Sequence, residues 1–159
     1  MQEASQCCYY LSVKLGKVDV MDALIESIKK HEGLRLYPYQ DSLGFWTIGY
    51  GRCIEKNGIT PQEAEIMLRR DVGEAIARYE DLPDEVRQNC NGERQAILVE
   101  MIFQLGYLGV LKFRRMLGAI AAGDFERASK EMLMSRWASQ TPSRCREMSE
   151  VMKNGIRIG

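Results

Sequence analysis

The sequence predicts an α+β protein that is mainly α, and three observations carry that reading. One polar turn, Asp41-Ser42-Leu43-Gly44, is followed by a stretch from Phe45 to Tyr50 whose side chains alternate as they do in a strand. From Thr60 onward, apolar residues recur at spacings of three and four. Gly106, Gly109, Gly123-Asp124 and Thr141-Pro142 then break the second half into helical lengths. A chain of 159 residues has room for one domain, or for two small lobes sharing a core. Its 22 basic and 22 acidic side chains balance, which leaves no electrostatic footprint for nucleic acid. Arg114, Arg115, Arg144 and Arg146 are the candidates for a local basic patch.

Residues 1–18 read either as a short edge strand, from the alternation of Tyr9, Leu11 and Val13, or as a loose arm. A first helix is expected from Asp19 to His31, with Asp22 in its first turn. Leu24, Ile25 and Ile28 set its apolar face, and the same spacing puts Glu32 on that face at the C-terminal end. Burial and the negative helix end both disfavour a charged carboxylate there, as a proton donor requires. In the hairpin that follows, Gly44 is expected to take a positive φ angle, and folding at the turn brings Asp41 and Thr47 near each other.

Asn57-Gly58 reads as a turn, and Thr60-Pro61-Gln62-Glu63 as a capping box with proline in the first helical position. Ala64, Met67, Leu68, Val72, Ala75, Ile76 and Tyr79 carry an amphipathic helix to about Glu80. The segment 93–105 is apolar nearly all round, the mark of a central buried helix. Three more helices are expected near 110–121, 124–137 and 142–154. The nine methionines read as core filler.

Glu32 and Asp41 are two carboxylates in unlike surroundings, the minimum equipment for glycoside hydrolysis. One protonates the leaving oxygen while the other activates water or attacks the sugar. Each residue also has an ordinary reading: a helix-end acid, a turn aspartate and, for Thr47, a β-branched strand residue. Five cysteines, at positions 7, 8, 53, 90 and 145, have no metal-like spacing. They read as free thiols of a protein made in the cytoplasm, or as a regulatory disulfide involving Cys53. A lone histidine, His31, builds no metal site, and no cofactor is expected. The first thirty residues lack a basic n-region, and the stretch from Cys7 to Val13 is too short for a membrane span. Neither a secretory signal nor stable membrane insertion is therefore expected.

Several motifs together resemble the T4-type phage lysozymes (endolysins, muramidases). They are Glu32-Gly33, Asp41 nine residues on, and Thr47-Ile48-Gly49-Tyr50-Gly51. Downstream come 60–71, Phe103-Gln104-Leu105-Gly106, Ser135-Arg136-Trp137, Gln140-Thr141-Pro142 and Arg144. The likeness covers roughly residues 19–154. It implies a lysozyme-like two-lobed fold in which a long helix joins a small β-hairpin lobe to a helical lobe. The corresponding divisions are an arm at 1–18, a first helix and catalytic hairpin at 19–59, a connecting helix at 60–80 and a helical lobe at 81–159.

The resemblance implies Glu32 as general acid, with Asp41 and Thr47 positioning water for an inverting cleavage of the β-1,4 bond between N-acetylmuramic acid and N-acetylglucosamine. It also implies Phe103, Gln104, Glu131 and Arg144 as substrate-binding residues. Arg144 matches the family arginine that pairs with the catalytic acid. Positions matching family sugar contacts carry Cys53, Met116 and Glu131, and the segment 52–59 is shorter than its family counterpart, so the small lobe is cut down. Peptidoglycan glycan strands are the expected partner, and a monomer is the expected state. Synthesis in a host cytoplasm with release to the periplasmic wall through a holin lesion is implied only indirectly. The rival reading is a wall-binding or phage-tail module that kept the fold without the activity.

Overall fold

The computed structural model describes residues 20–157, so the arm at 1–18, with Cys7 and Cys8, lies outside the described residues. The chain divides into two units, the first ending at Pro61 and the second beginning at Gln62. The first holds helix α1 over 20–32, strands β1 (Arg35–Gln40), β2 (Trp46–Gly49) and β3 (Arg52–Cys53), and a one-turn helix α2 (Ile54–Asn57). The second is all helix: α3 (Pro61–Tyr79), α4 (Asp84–Asn89), α5 (Gly92–Leu105), α6 (Tyr107–Val110), α7 (Arg114–Ala121), α8 (Phe125–Leu133), α9 (Arg136–Gln140) and α10 (Pro142–Asn154). This is the mainly α, α+β lysozyme-like architecture that the motifs imply.

The three strands form one antiparallel sheet in the order β1-β2-β3. Tyr39 pairs with Thr47 and Gln40 with Trp46, but Arg35 pairs with Gly49, so the register slips within β1. Gly49, at φ 69°, sits at the end of that irregular stretch, where only glycine turns without strain. Strand β3 is too short to serve all of β2. Its partners are Thr47 and Ile48, and the N–H of Trp46 donates instead to Glu55 Oε1 of α2, at 3.0 Å. Lys56 of the same helix lies 3.9 Å over the Phe45 ring, and Arg35 lies 4.3 Å over the Tyr39 ring.

In the second unit, α5 packs on α10, α10 on α8, α8 on α7, and α7 on α4. Ile97, Leu98, Met101, Met116, Ile120, Met132 and Met152 are buried almost completely. Five of the nine methionines are in this core, whereas Met21, Met67 and Met134 are exposed. Helix α5 is more one-sided than its composition predicts, because Ala96 and Phe103 remain exposed. Its N-terminal end fastens the chain's last helix. Arg94 donates to the carbonyls of Met152 (2.8 Å) and Lys153 (3.1 Å) and stacks 3.5 Å over Phe125, while Asn91 donates to Gly155 O at 2.7 Å.

The expected helix at 124–137 is two helices. Ser135 stands in extended geometry at ψ 159°, and its hydroxyl accepts the Ala138 N–H at 3.2 Å, so it caps α9 and breaks the run. Helices α4 and α6, of six and four residues, were not legible from spacing because neither is long enough to repeat a face. Among the described residues Cys53, Cys90 and Cys145 form no disulfide, and burial pushes Cys90 up to about 11 and Cys145 upward as well.

Leu98, with none of its surface exposed, tests the core. Leu98→Ala is expected to cost about 2–5 kcal/mol in chemical denaturation at unchanged m value. A loss below ~1 kcal/mol would mean that the helices around α5 are not packed as described.

Candidate active site

The three residues expected to carry the chemistry all lie in the first unit. Glu32 is the last residue of α1, where the Gly33 N–H closes the helix on the carbonyl of Lys29 at 3.1 Å. Leu24, Ile25 and Ile28 do share a face with it, but they are 54%, 41% and 43% exposed, and Glu32 is exposed too. Burial therefore does not supply the environment expected of it. What the structure provides instead is a close neighbour. The Glu32 carboxylate lies against the Cα of Gly51, so that a Cβ added there would stand 3.3 Å from Oε2. Gly51 also has φ 81°, in the left-handed region. The β2–β3 turn thus favours glycine at this position for its backbone, and a Cβ there would also crowd the acid beside it by a few tenths of an ångström.

Asp41 is half-buried and organises the hairpin. Its Oδ1 accepts the N–H of Leu43 at 2.8 Å and that of Phe45 at 2.9 Å, while its backbone N–H donates to Phe45 O at 3.0 Å and its carbonyl accepts from Gly44 at 3.0 Å. Gly44 takes the expected positive φ, 85°. Both side-chain bonds use one oxygen, so among the described residues Oδ2 is left facing its surroundings. Because Tyr39 pairs with Thr47 and the chain turns at 41–45, Asp41 and Thr47 lie on the same face of the hairpin as diagonal neighbours.

Thr47 is 3% exposed and lies on the middle strand, with Tyr39 across from it on one side and Cys53 on the other. Its hydroxyl donates to Phe45 O at 3.2 Å. The proton is committed, and the oxygen can act toward a water only as an acceptor.

The expected substrate-binding residues lie in the second unit and fall into two groups. Phe103 and Gln104 on α5 and Arg144 on α10 line one cavity of about 580 Å³ together with Val72 and Ile76. Gln104 Oε1 accepts the indole N–H of Trp137 at 3.1 Å, which fixes its amide and uses the only polar atom of a buried ring. Glu131, half-buried on α8, lines a different cavity of about 540 Å³ with Met116 and Ser135. Gly51 and Glu55 were not assigned roles by sequence reasoning. Gly51 closes the Thr47-Ile48-Gly49-Tyr50-Gly51 motif, so its identity is the available signal; no local signal marks Glu55.

An acid at a helix end, set against a glycine turn of a small sheet whose hairpin carries a clamped aspartate, fits a lysozyme-type domain. The chain belongs to the phage lysozyme family, whose model matches residues 29–150, and is of the T4 type. It is 28% identical over 164 residues to a probable T4-type lysozyme 1 of Dictyostelium discoideum, covering 86% of this chain and 96% of that protein. It is 30% identical over 114 residues to an endolysin of Acyrthosiphon pisum secondary endosymbiont phage 1, covering 70% of this chain and 74% of that one. The pre-baseplate central spike protein Gp5 of Enterobacteria phage T4 is 31% identical over 160 residues, which is 84% of this chain but only 28% of the spike.

The Gly51 contact predicts a difference between two glycines. Gly49 has a similar φ of 69° but nothing within 4 Å of its absent Cβ. Alanine at either position should cost about 1–2 kcal/mol of stability through the left-handed backbone. Only Gly51→Ala should also lower the hydrolysis rate, by about tenfold, because it displaces Glu32. Equal rates for the two variants would remove Gly51 from the site.

Proposed function

We propose that the protein hydrolyses peptidoglycan, cutting the β-1,4 bond between N-acetylmuramic acid and N-acetylglucosamine by a single inverting displacement. Glu32 is the general acid to the glycosidic oxygen. Asp41 Oδ2 and the Thr47 oxygen hold the attacking water, Asp41 as base and Thr47 as acceptor. Phe103, Gln104, Glu131 and Arg144 bind the glycan. The observation that carries this reading is the pairing, within one small unit, of a carboxylate lodged against a glycine turn with an aspartate whose second oxygen is left over from its structural work. Family membership and relatives named lysozyme and endolysin support the coarser activity.

A second reading, a wall-directed module of a phage tail, is favoured by the match to a central spike protein of which this chain spans about a quarter. Clearing of chloroform-treated Gram-negative cells separates the two, since a module without activity binds and does not clear them.

Glu32→Gln keeps the shape of the side chain and cannot donate a proton, so clearing should fall by at least about a hundredfold with the unfolding midpoint unchanged. A rate within a few-fold of wild type would sink the assignment. The first product of a single displacement has the inverted anomer, which NMR of a defined glycan reads directly; a retained anomer would contradict the mechanism even with the residues right.

A further inference from the structure

One planar amide stands between Glu55 and the two residues assigned to the attacking water. Its carbonyl, that of Phe45, accepts the backbone N–H of Asp41 at 3.0 Å and the Thr47 hydroxyl at 3.2 Å. Its N–H, that of Trp46, points the opposite way and donates to Glu55 Oε1 at 3.0 Å. A peptide group is rigid, so whatever orients the N–H also orients the carbonyl.

The sheet leaves this N–H to a side chain for a specific reason. Strand β3 pairs Cys53 with Thr47 and Arg52 with Ile48, and one further step of that register would set Ile54 opposite Trp46. Ile54 instead opens α2, and its carbonyl accepts the Gly58 N–H at 2.8 Å. The Glu55 carboxylate takes the place of the missing ladder carbonyl. A four-residue helix does not hold itself in water, and this one is fastened to the sheet. Arg52 Nε donates to Gly58 O at 2.9 Å, and Lys56 lies 3.9 Å over the Phe45 ring. Glu55 and Lys56 thus grip Trp46 and Phe45, the two residues that share the amide. An ionised acceptor makes a stronger bond than a neutral carbonyl, and a polarised N–H strengthens the carbonyl of the same amide as an acceptor.

We propose that Glu55 is a positioning residue for hydrolysis. Through the Phe45–Trp46 peptide it keeps the Thr47 proton on Phe45 O and aligns the Thr47 oxygen and the Asp41 carboxylate on one water. It acts on the amide and not on the glycan. The proposal rests on the hydrolase reading for the reaction and on the hydrogen bonds alone for the brace.

Three substitutions separate the acceptor from the charge. Glu55→Gln keeps an oxygen at the same reach without the charge, Glu55→Asp keeps the charge one methylene short, and Glu55→Ala removes both. The full-length proteins are compared by kcat and KM on a defined soluble glycan, well below their unfolding midpoints, and by amide hydrogen exchange. Glu55→Ala and Glu55→Asp should lose about five- to tenfold in kcat with KM unchanged, while Glu55→Gln stays within about twofold of wild type. In a Thr47→Val background, which lacks the hydroxyl, Glu55→Ala should cost no more than about twofold, because the two residues act as one unit. Exchange at Asp41 and Trp46 should quicken about tenfold in Glu55→Ala. Full additivity with Thr47→Val, or an aspartate variant as fast as wild type beside a slow glutamine variant, would overturn the proposal and leave Glu55 a surface charge. A wild type that cleaves no glycan would refute the hydrolase reading. Exchange then decides the brace: quickening at Asp41 in Glu55→Ala upholds it, and rates equal to wild type overturn it.

Discussion

One carboxylate oxygen holds the hairpin. Asp41 Oδ1 gathers the N–H groups of Leu43 and Phe45, and together with the backbone bonds between Asp41, Gly44 and Phe45 it closes the turn. Hydrogen bonds to a charged group contribute about 1.5–3 kcal/mol each, more than a neutral pair. The rest of the site follows from that closure. It sets Tyr39 opposite Thr47, hence Asp41 and Thr47 on one face, and β2 then runs into the Gly49 and Gly51 turns that leave room for Glu32. A hairpin alone is marginal in water, so under the proposed role of Asp41 the residue that fixes the turn would also couple chemistry to folding.

The two units are stabilised differently. Among the described residues of the first, Thr47 alone is buried. Its sheet is held by the Asp41 turn, by Glu55 accepting the Trp46 N–H, and by Arg35 and Lys56 over aromatic rings. The second has a continuous apolar core, in which unbranched methionines fill the space between short helices. The candidate catalytic residues Glu32, Asp41 and Thr47 sit in the unit with little core, which agrees with the lower local stability expected of functional segments.

Much of this was legible in the sequence because it depends on local rules. The Asp41–Gly44 turn, the long helix opening at Pro61, and the break at Thr141-Pro142 are each written in a few adjacent residues. The assignment of Glu32, Asp41 and Thr47 came instead from their resemblance to a family motif, because each alone reads as an ordinary residue. What escaped depends on contacts distant in sequence or on elements too short to repeat. Periodicity placed Leu24, Ile25, Ile28 and Glu32 on one face but carries no information on whether that face is covered, and here it is exposed. The contact between Glu32 and Gly51 spans nineteen positions, and only the folded turn reveals it. The division of α8 from α9 hangs on one serine whose hydroxyl caps a five-residue helix.

The central claim is that Asp41 divides its two oxygens between the turn and the reaction. Comparing Asp41→Asn with Asp41→Ala, each for unfolding free energy and for initial rate on purified murein, tests it directly. The asparagine oxygen can still accept both backbone N–H groups, so Asp41→Asn should stay within about 1 kcal/mol of wild type while Asp41→Ala loses more, yet both should lose about tenfold or more in rate. An Asp41→Asn protein as fast as wild type would contradict the chemical role, and one as unstable as Asp41→Ala would contradict the structural one.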